Sequence, residues 1–202
     1  MTERLAILGG TFDPIHFGHL AMAEEVCWQL DVARIFFVPA AQQPLKAWKH
    51  IASAEDRLAM VRLAIADNPS FDVCDLEIRR GGPSFTVDTL ATLREASPHA
   101  EWIFVAGADI LRDLPRWHAI DRLFELCRFA IVTRPGHPID FDQLYQMLPV
   151  ARGHVTEVGG LHLDISATDL RERLVRGAPV RYQMPDAVVD YIQQHGIYRP
   201  RA

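Results

Sequence analysis

The sequence predicts an α/β protein in one domain, a doubly wound and mostly parallel sheet covered on both faces, and three observations predict it. Short apolar, β-branched runs alternate with stretches of helical period along the 202 residues, the pattern of strands joined by crossover helices. The glycine-rich and polar segments 9–19, 39–49 and 107–117 all follow such runs, so they should meet at the carboxyl edge of the sheet. No repeat, low-complexity tract or linker divides the chain, whose length suits a single α/β domain.

The elements follow in order. Leu5-Ala6-Ile7-Leu8 is a first strand, and the stretch 18–30 after the glycine turn is amphipathic and helical. Ile35-Phe36-Phe37-Val38 is a second strand, followed by a loop at 39–50 that carries Pro39, Pro44, Lys46 and Lys49 without helical pattern. A helix over 53–66 leads to a strand over 71–76. Gly81-Gly82-Pro83 marks a tight turn before a helix over 87–96. A strand at 102–106, a helix at 117–126, a strand at 129–133, a helix at 141–148 and a strand at 155–158 continue the alternation. Helices over 168–176 and 186–195 close it.

Composition narrows the function classes. Hydrophobic residues make up 49% and charged residues 23%, with a formal net charge of −5. A nucleic-acid or membrane-surface binder carries a basic surplus, so neither partner is expected, whereas a small anion held by local cations is compatible. Cys27, Cys74 and Cys127 are far apart and odd in number, a usage that fits a reducing cytoplasm. No apolar run approaches the roughly 18 residues of a membrane span, and too few apolar residues follow Arg4 for a leader.

Four motifs carry chemistry. The first is Gly9-Gly10-Thr11-Phe12-Asp13-Pro14-Ile15-His16-Phe17-Gly18-His19, a strand, a glycine turn and a helix start. Backbone N–H groups there lack intrahelical partners, and the helix dipole adds partial positive charge, so phosphate is accommodated. The chain has no Gly-Lys dipeptide and no G-x-G-x-x-G, which excludes a P-loop and a redox dinucleotide fingerprint. His16 and His19 either serve the fold with satisfied hydrogen bonds or donate to phosphate oxygens that carry developing charge. Zinc lacks a third ligand nearby in sequence.

The second motif is Ile165-Ser166-Ala167-Thr168-Asp169-Leu170-Arg171. Ser166 or Thr168 is a natural helix cap; with Arg171 one turn in, the same residues form a second anion site. Two such helix starts suit a ligand with several phosphates, such as ATP, whose charges Lys46, Lys49, Arg171 and Mg2+ would offset. The third motif is Gly107-Ala108-Asp109, where Asp109 either caps a turn or accepts from ribose hydroxyls while Gly107 permits close approach. Trp117, a short way on, belongs to the core or stacks on a flat heteroaromatic ring. In the fourth, Arg79-Arg80-Gly81-Gly82-Pro83-Ser84-Phe85-Thr86, Thr86 caps the next helix or the exposed amide there receives a carboxylate. Glu24-Glu25 and Glu55-Asp56 read as solvated helix faces.

These motifs together resemble those of bacterial nicotinate mononucleotide adenylyltransferases, of the HxGH nucleotidyltransferase superfamily. The first motif is similar to the superfamily's (H/T)xGH signature and the Ile165–Arg171 stretch to its second phosphate signature. The runs from Gly82 to Leu90 and from Gly107 to Trp117 resemble the nicotinate mononucleotide branch specifically, and the tail through Met184-Pro185-Asp186 and Gly196-Ile197-Tyr198 is also similar. The likeness covers nearly the whole chain, in the family's order.

The resemblance implies a Rossmann-like fold and a reaction joining ATP and nicotinate mononucleotide to give nicotinate adenine dinucleotide and pyrophosphate. It implies Mg2+ bound mainly through the ATP phosphates, with no metal site on the protein, and in-line attack on the α-phosphorus. By the same resemblance Gly9, Gly10, Thr11, Phe12, Gly18, Gly107, Asp109, Ile165, Ser166, Thr168 and Arg171 bind ATP. His16, His19, Lys46 and Arg171 serve the reaction. Ser84, Phe85, Thr86 and Trp117 hold the mononucleotide, Trp117 by stacking on the pyridine. A homo-oligomer is compatible with the family. Two departures stand out: Pro44-Leu45-Lys46 has leucine where many members have histidine, and Phe85 replaces a frequent tyrosine.

The rivals are other acceptors on the same fold, as in pantetheine-phosphate adenylyltransferase or the cytidylyltransferases, and a nucleotide-sensing protein without catalysis. An aminoacyl-tRNA synthetase fragment would need a lysine-rich second signature and a basic surface.

Overall fold

A computed structural model of the chain describes residues 2–42, 52–133, 138–160 and 163–199. Six parallel strands form one sheet in the order β3-β2-β1-β4-β5-β6. They are β1 (Arg4–Gly10), β2 (Arg34–Pro39), β3 (Phe71–Val73), β4 (Glu101–Gly107), β5 (Arg128–Val132) and β6 (Val155–Val158). The helices are α1 (Phe17–Leu30), α2 (Ala54–Ile65), α3 (Leu76–Arg80), α4 (Thr86–Ala96), α5 (Ile120–Leu126), α6 (Phe141–Met147), α7 (Ala167–Val175) and α8 (Asp186–His195).

The pleat sorts the apolar residues into two cores. Along β1, Ala6 and Leu8 face the core shared with Ala23 and Val26 of α1, Met60 and Val61 of α2, Leu170 of α7 and Val188 of α8. Leu5 and Ile7 face the other, shared with Leu90 of α4, Phe124 of α5 and Leu144 of α6. Strands covered on both sides must be apolar on both sides, which is why they read as continuous runs. Each large aliphatic or aromatic side chain so buried contributes about 1.5–3 kcal/mol. Among the described residues no helix is long and apolar enough to cross a membrane.

The strand order reverses direction between β1 and β4. Chain growth runs outward from β1 to β2 and β3, then returns to β4 and runs the other way. Loops leaving β1 and β4 therefore part at that point and leave a crevice at the carboxyl edge.

Two sequence expectations need correction. The strand expected over 71–76 ends at Val73, and Leu76–Arg80 is a short helix. There Asp75 meets Arg79 one turn on at 2.8 Å, and Gly81 ends the helix at φ +68°, a conformation glycine adopts without penalty. The helix expected from 117 begins at Ile120; two 3₁₀ turns, Ala108–Arg112 and Leu114–Arg116, precede it, and Trp117 itself is extended. Pro115 within the second turn cannot supply the backbone donor that a longer helix would need.

Candidate active site

The crevice is built around the turn between β1 and α1. Gly9 and Gly10 end the strand, and a Cβ on Gly10 would lie 3.0 Å from the Phe12 ring. The backbone then reverses through Phe12, whose φ of +51° is in the left-handed region. Its ring is 2% exposed and packs on His19 and Phe37. The Phe12 side chain therefore supports an imidazole from behind, and only its backbone remains for the ligand contact assigned to it by resemblance.

His16 occupies the cap position of α1 in extended conformation. Its ring lies over the first turn of the helix, where a Cβ on Gly18 would stand 3.0 Å from Nδ1; glycine is needed for that close approach. The two imidazoles stack at 3.7 Å between centroids, and the His16 backbone N–H donates to Nδ1 of His19 at 3.3 Å. With Nδ1 accepting, a neutral His19 carries its proton on Nε2. Burial lowers the His16 pKa to about 4, so its ring is neutral at pH 7, and its buried Nδ1 has no hydrogen-bond partner among the described residues.

The Ile165–Arg171 motif comes to the same place. Ser166 sits at the cap position of α7, but its hydroxyl makes no capping bond, so the cap expected of Ser166 or Thr168 is supplied by neither. Thr168 Oγ1 instead accepts from Arg171 Nη2 at 3.2 Å, and Arg171 Nη1 donates to the Asp13 carbonyl at 2.6 Å. The bond links the two motifs across 158 residues. Ser166 and Thr168 are exposed, Ile165 half-buried.

On the other side of Gly9 and Gly10 opens a cavity of about 420 Å³. Ser84, Phe85, Thr86 and Trp117 all line it, with Phe104, Arg116 and His118. Trp117 stands edge-on to Phe104 at 5.3 Å and is half-buried, its ring on the cavity wall. The cap of α4 is Phe85, and Thr86 begins the helix without a side-chain cap. Ser84 fixes this wall: its Oγ accepts from the Ala41 N–H at 2.9 Å, and its N–H donates to the Gln42 carbonyl at 2.8 Å. Glu77, also in the wall, accepts from Thr89 Oγ1 at 2.8 Å, and burial raises its pKa.

Gly107 ends β4, where a Cβ would meet Asp109 Oδ1 at 2.7 Å; Asp109 is exposed in the 3₁₀ turn that follows. Lys46, Lys49 and the Leu45 departure lie outside the described residues. Among the described residues no group of three or more His, Cys, Asp or Glu side chains stands ready to hold a metal ion.

Sequence reasoning missed three supports. Arg57, 1% exposed, donates from Nη1 to the carbonyls of Thr11 and Ala40, both at 2.7 Å, and so joins the β1 turn to the end of β2. Asp13, 3% exposed, accepts from the Tyr198 hydroxyl at 2.5 Å. Glu77 is the third. A buried arginine in a helical pattern leaves no signal of its own; the aspartate inside the first motif was the one clue.

The chain matches the cytidylyltransferase-like family model over residues 7–173. A protein of Roseiflexus sp. strain RS-1 named "Probable nicotinate-nucleotide adenylyltransferase" is 51% identical over 195 residues, 96% of this chain and 98% of that one. One of Herpetosiphon aurantiacus with the same name is 50% identical over 196 residues, 97% of this chain and 98% of its own length. The chain belongs to the nicotinate-nucleotide adenylyltransferase family. Nucleotidyltransferases of this family are enzymes, and the doubly wound fold agrees with solved members. The nicotinic acid mononucleotide adenylyltransferase of Plasmodium falciparum, solved with NaAD, superimposes with a TM-score of 0.78 at 22% identity, covering 97% of each chain. Its complex with APC gives 0.76 at 21%, again over 97% of each chain.

Proposed function

We propose that the protein transfers the adenylyl group of ATP to nicotinate mononucleotide, releasing pyrophosphate and forming the dinucleotide used in NAD biosynthesis. The observation that carries this reading is the adjacency of two half-sites at Gly9 and Gly10: the imidazole-bearing helix start tied to Arg171, and the aromatic-walled cavity. The names of the relatives and the NaAD held by the Plasmodium falciparum protein support the same substrates.

The acceptor phosphate attacks the α-phosphorus in line with the departing pyrophosphate. A phosphate monoester with a second pKa near 6 is largely ionised at neutral pH, so the step needs no general base. Catalysis then consists of positioning two anions and spreading charge. In the first turn of α1 the Phe17 N–H is taken by the Gln183 carbonyl and the His19 N–H by the His16 carbonyl, both at 3.0 Å, so the Gly18 N–H and the Nε2–H of His19 are the donors for the reacting phosphates, while Arg171 with Ser166 and Thr168 meets the distal ones. Lys46, which follows β2 in the sequence, adds charge. Gly107 and Asp109 receive the adenosine ribose. Trp117 stacks on the pyridine, and the amide at Thr86 takes its carboxylate. Magnesium would come with ATP as part of the substrate and offset the phosphate charge, and an ion that keeps several of its waters would need few protein ligands. A cytoplasmic setting is supported by three free thiols, Cys27, Cys74 and Cys127.

The test is pyrophosphate release from ATP with nicotinate mononucleotide or its amide counterpart as acceptor. We expect at least a tenfold preference for the acid. A tenfold preference for the amide overturns the acceptor assignment, and tight ATP binding without pyrophosphate release with either overturns the reaction.

A further inference from the structure

The tail motif Gly196-Ile197-Tyr198 has no part in the chemistry described so far, yet its tyrosine reaches the reactive turn. Tyr198 is 3% exposed, and its hydroxyl donates to Asp13 Oδ1 at 2.5 Å across 185 residues of sequence. Asp13 sits between the glycines that end β1 and the imidazoles that begin α1. Its Oδ1 also accepts from the Ala52 N–H at 3.3 Å, and its carbonyl takes the 2.6 Å bond from Arg171. Turn and tail thus converge on one buried carboxylate.

The backbone supports the same conclusion. Tyr198 has φ +60° and Phe12, beside Asp13, φ +51°. A non-glycine residue in the left-handed region is strained, and such strain persists where the surroundings over-determine it, often at functional sites. Glycine would occupy position 198 without that penalty. The phenol does what glycine cannot. Burial and the neighbouring Asp13 charge push the Tyr198 pKa up, so the hydroxyl keeps its proton and remains a donor.

We propose that Tyr198 is a positioning residue for adenylyl transfer: its hydroxyl, bonded to Asp13, fixes the turn that leads into Gly18 and His19. The claim rests on the reaction proposed above. Tyr198 is buried, with its hydroxyl on Asp13. It acts by holding Asp13, and Asp13 holds the path of the backbone from Gly10 to His16. Small misplacements of a catalytic array cost rate more than ground-state affinity when the array is complementary to the transition state.

The experiment is Y198F, assayed by pyrophosphate release well below its melting temperature, with folded sites counted by binding of a non-hydrolysable ATP analogue. We expect kcat to fall about tenfold or more while KM for ATP moves less than threefold. The control is Y191F, which removes the other tail hydroxyl bond, from Tyr191 to Asp56 Oδ1 at 3.0 Å; its kcat should stay within twofold of the parent. A Y198F kcat within twofold of the parent overturns the proposal, and so does an equal loss in Y191F, which would mean general docking of the tail. If Y198F does not fold, D13N weakens the same bond from the acceptor side. A fivefold loss of kcat with ATP affinity retained then supports the proposal, and an unchanged kcat overturns it. Turnover by the parent is measured first. Its failure with nicotinate mononucleotide counts against the acceptor alone, and the variants are then compared with whichever phosphorylated acceptor the parent uses.

Discussion

His16 and His19 lie face to face, 3.7 Å between ring centroids, and the backbone of the first donates to the ring of the second. One helical turn thus fixes two imidazoles in different surroundings. His16 is buried and neutral and stacks on its partner; His19 is half-buried, and with Nδ1 accepting, the neutral ring carries its proton on Nε2.

His19→Ala should therefore lower kcat by about 10²–10³, the usual loss for one donor that stabilises developing charge. Steady-state kinetics of pyrophosphate release check this. A near-normal kcat would remove His19 from the reaction.

The burial of His16 has a signature in stability. Its folded-state pKa is about 4 against 6.5 in the unfolded chain. Between those values the unfolded chain binds a proton that the folded chain does not, so the contribution is full above pH 6.5 and is lost as pH falls towards 4. From pH 7 to pH 5 the parent should lose about 2 kcal/mol more than H16Q. Urea unfolding of both at the two pH values measures the difference, and parallel losses would refute the assignment.

Trp117→Ala should act on the acceptor. Loss of a stacking face of this kind costs about 0.5–1.5 kcal/mol beyond its area, so KM for the mononucleotide should rise roughly tenfold with KM for ATP little changed. An unchanged acceptor KM, with a lower melting temperature, would make the indole a structural residue.

Arg57→Met should destabilise the fold and loosen the turn together. It leaves the Ala40 carbonyl without this donor in a buried place and removes the same donor from the part-buried Thr11 carbonyl. Unsatisfied buried groups of this sort cost about 1–3 kcal/mol each, so a loss of about 3 kcal/mol in urea unfolding is expected. Arg57→Lys should recover less than half, because an ammonium does not reproduce the planar fork.

Much of the fold, and which segments meet at the crevice, is legible along the chain. Ile35 to Val38 reads as a strand because a parallel sheet covered on both faces makes its strands apolar throughout, and the glycine turn ahead of His16 reads as a phosphate site because its chemistry is local. The errors fell where local pattern is ambiguous: Cys74 to Leu76 is apolar enough to extend β3, yet Asp75 pairs with Arg79 and turns the chain into α3. Trp117 could be core or wall on its sequence alone; the structure packs it edge-on to the buried Phe104 and leaves it half-buried in the lining of the cavity.

Residue order alone dictates the alternation of elements and the helix starts at Phe17 and Ala167, because each element is written within a short run of consecutive residues. What joins them is set by packing in three dimensions. Arg171 reaches Asp13, Arg57 bridges Thr11 and Ala40, and Tyr198 returns to Asp13 from the far end of the chain. Hydrogen bonds of this kind depend on distance in space, and a sequence records distance only along the chain.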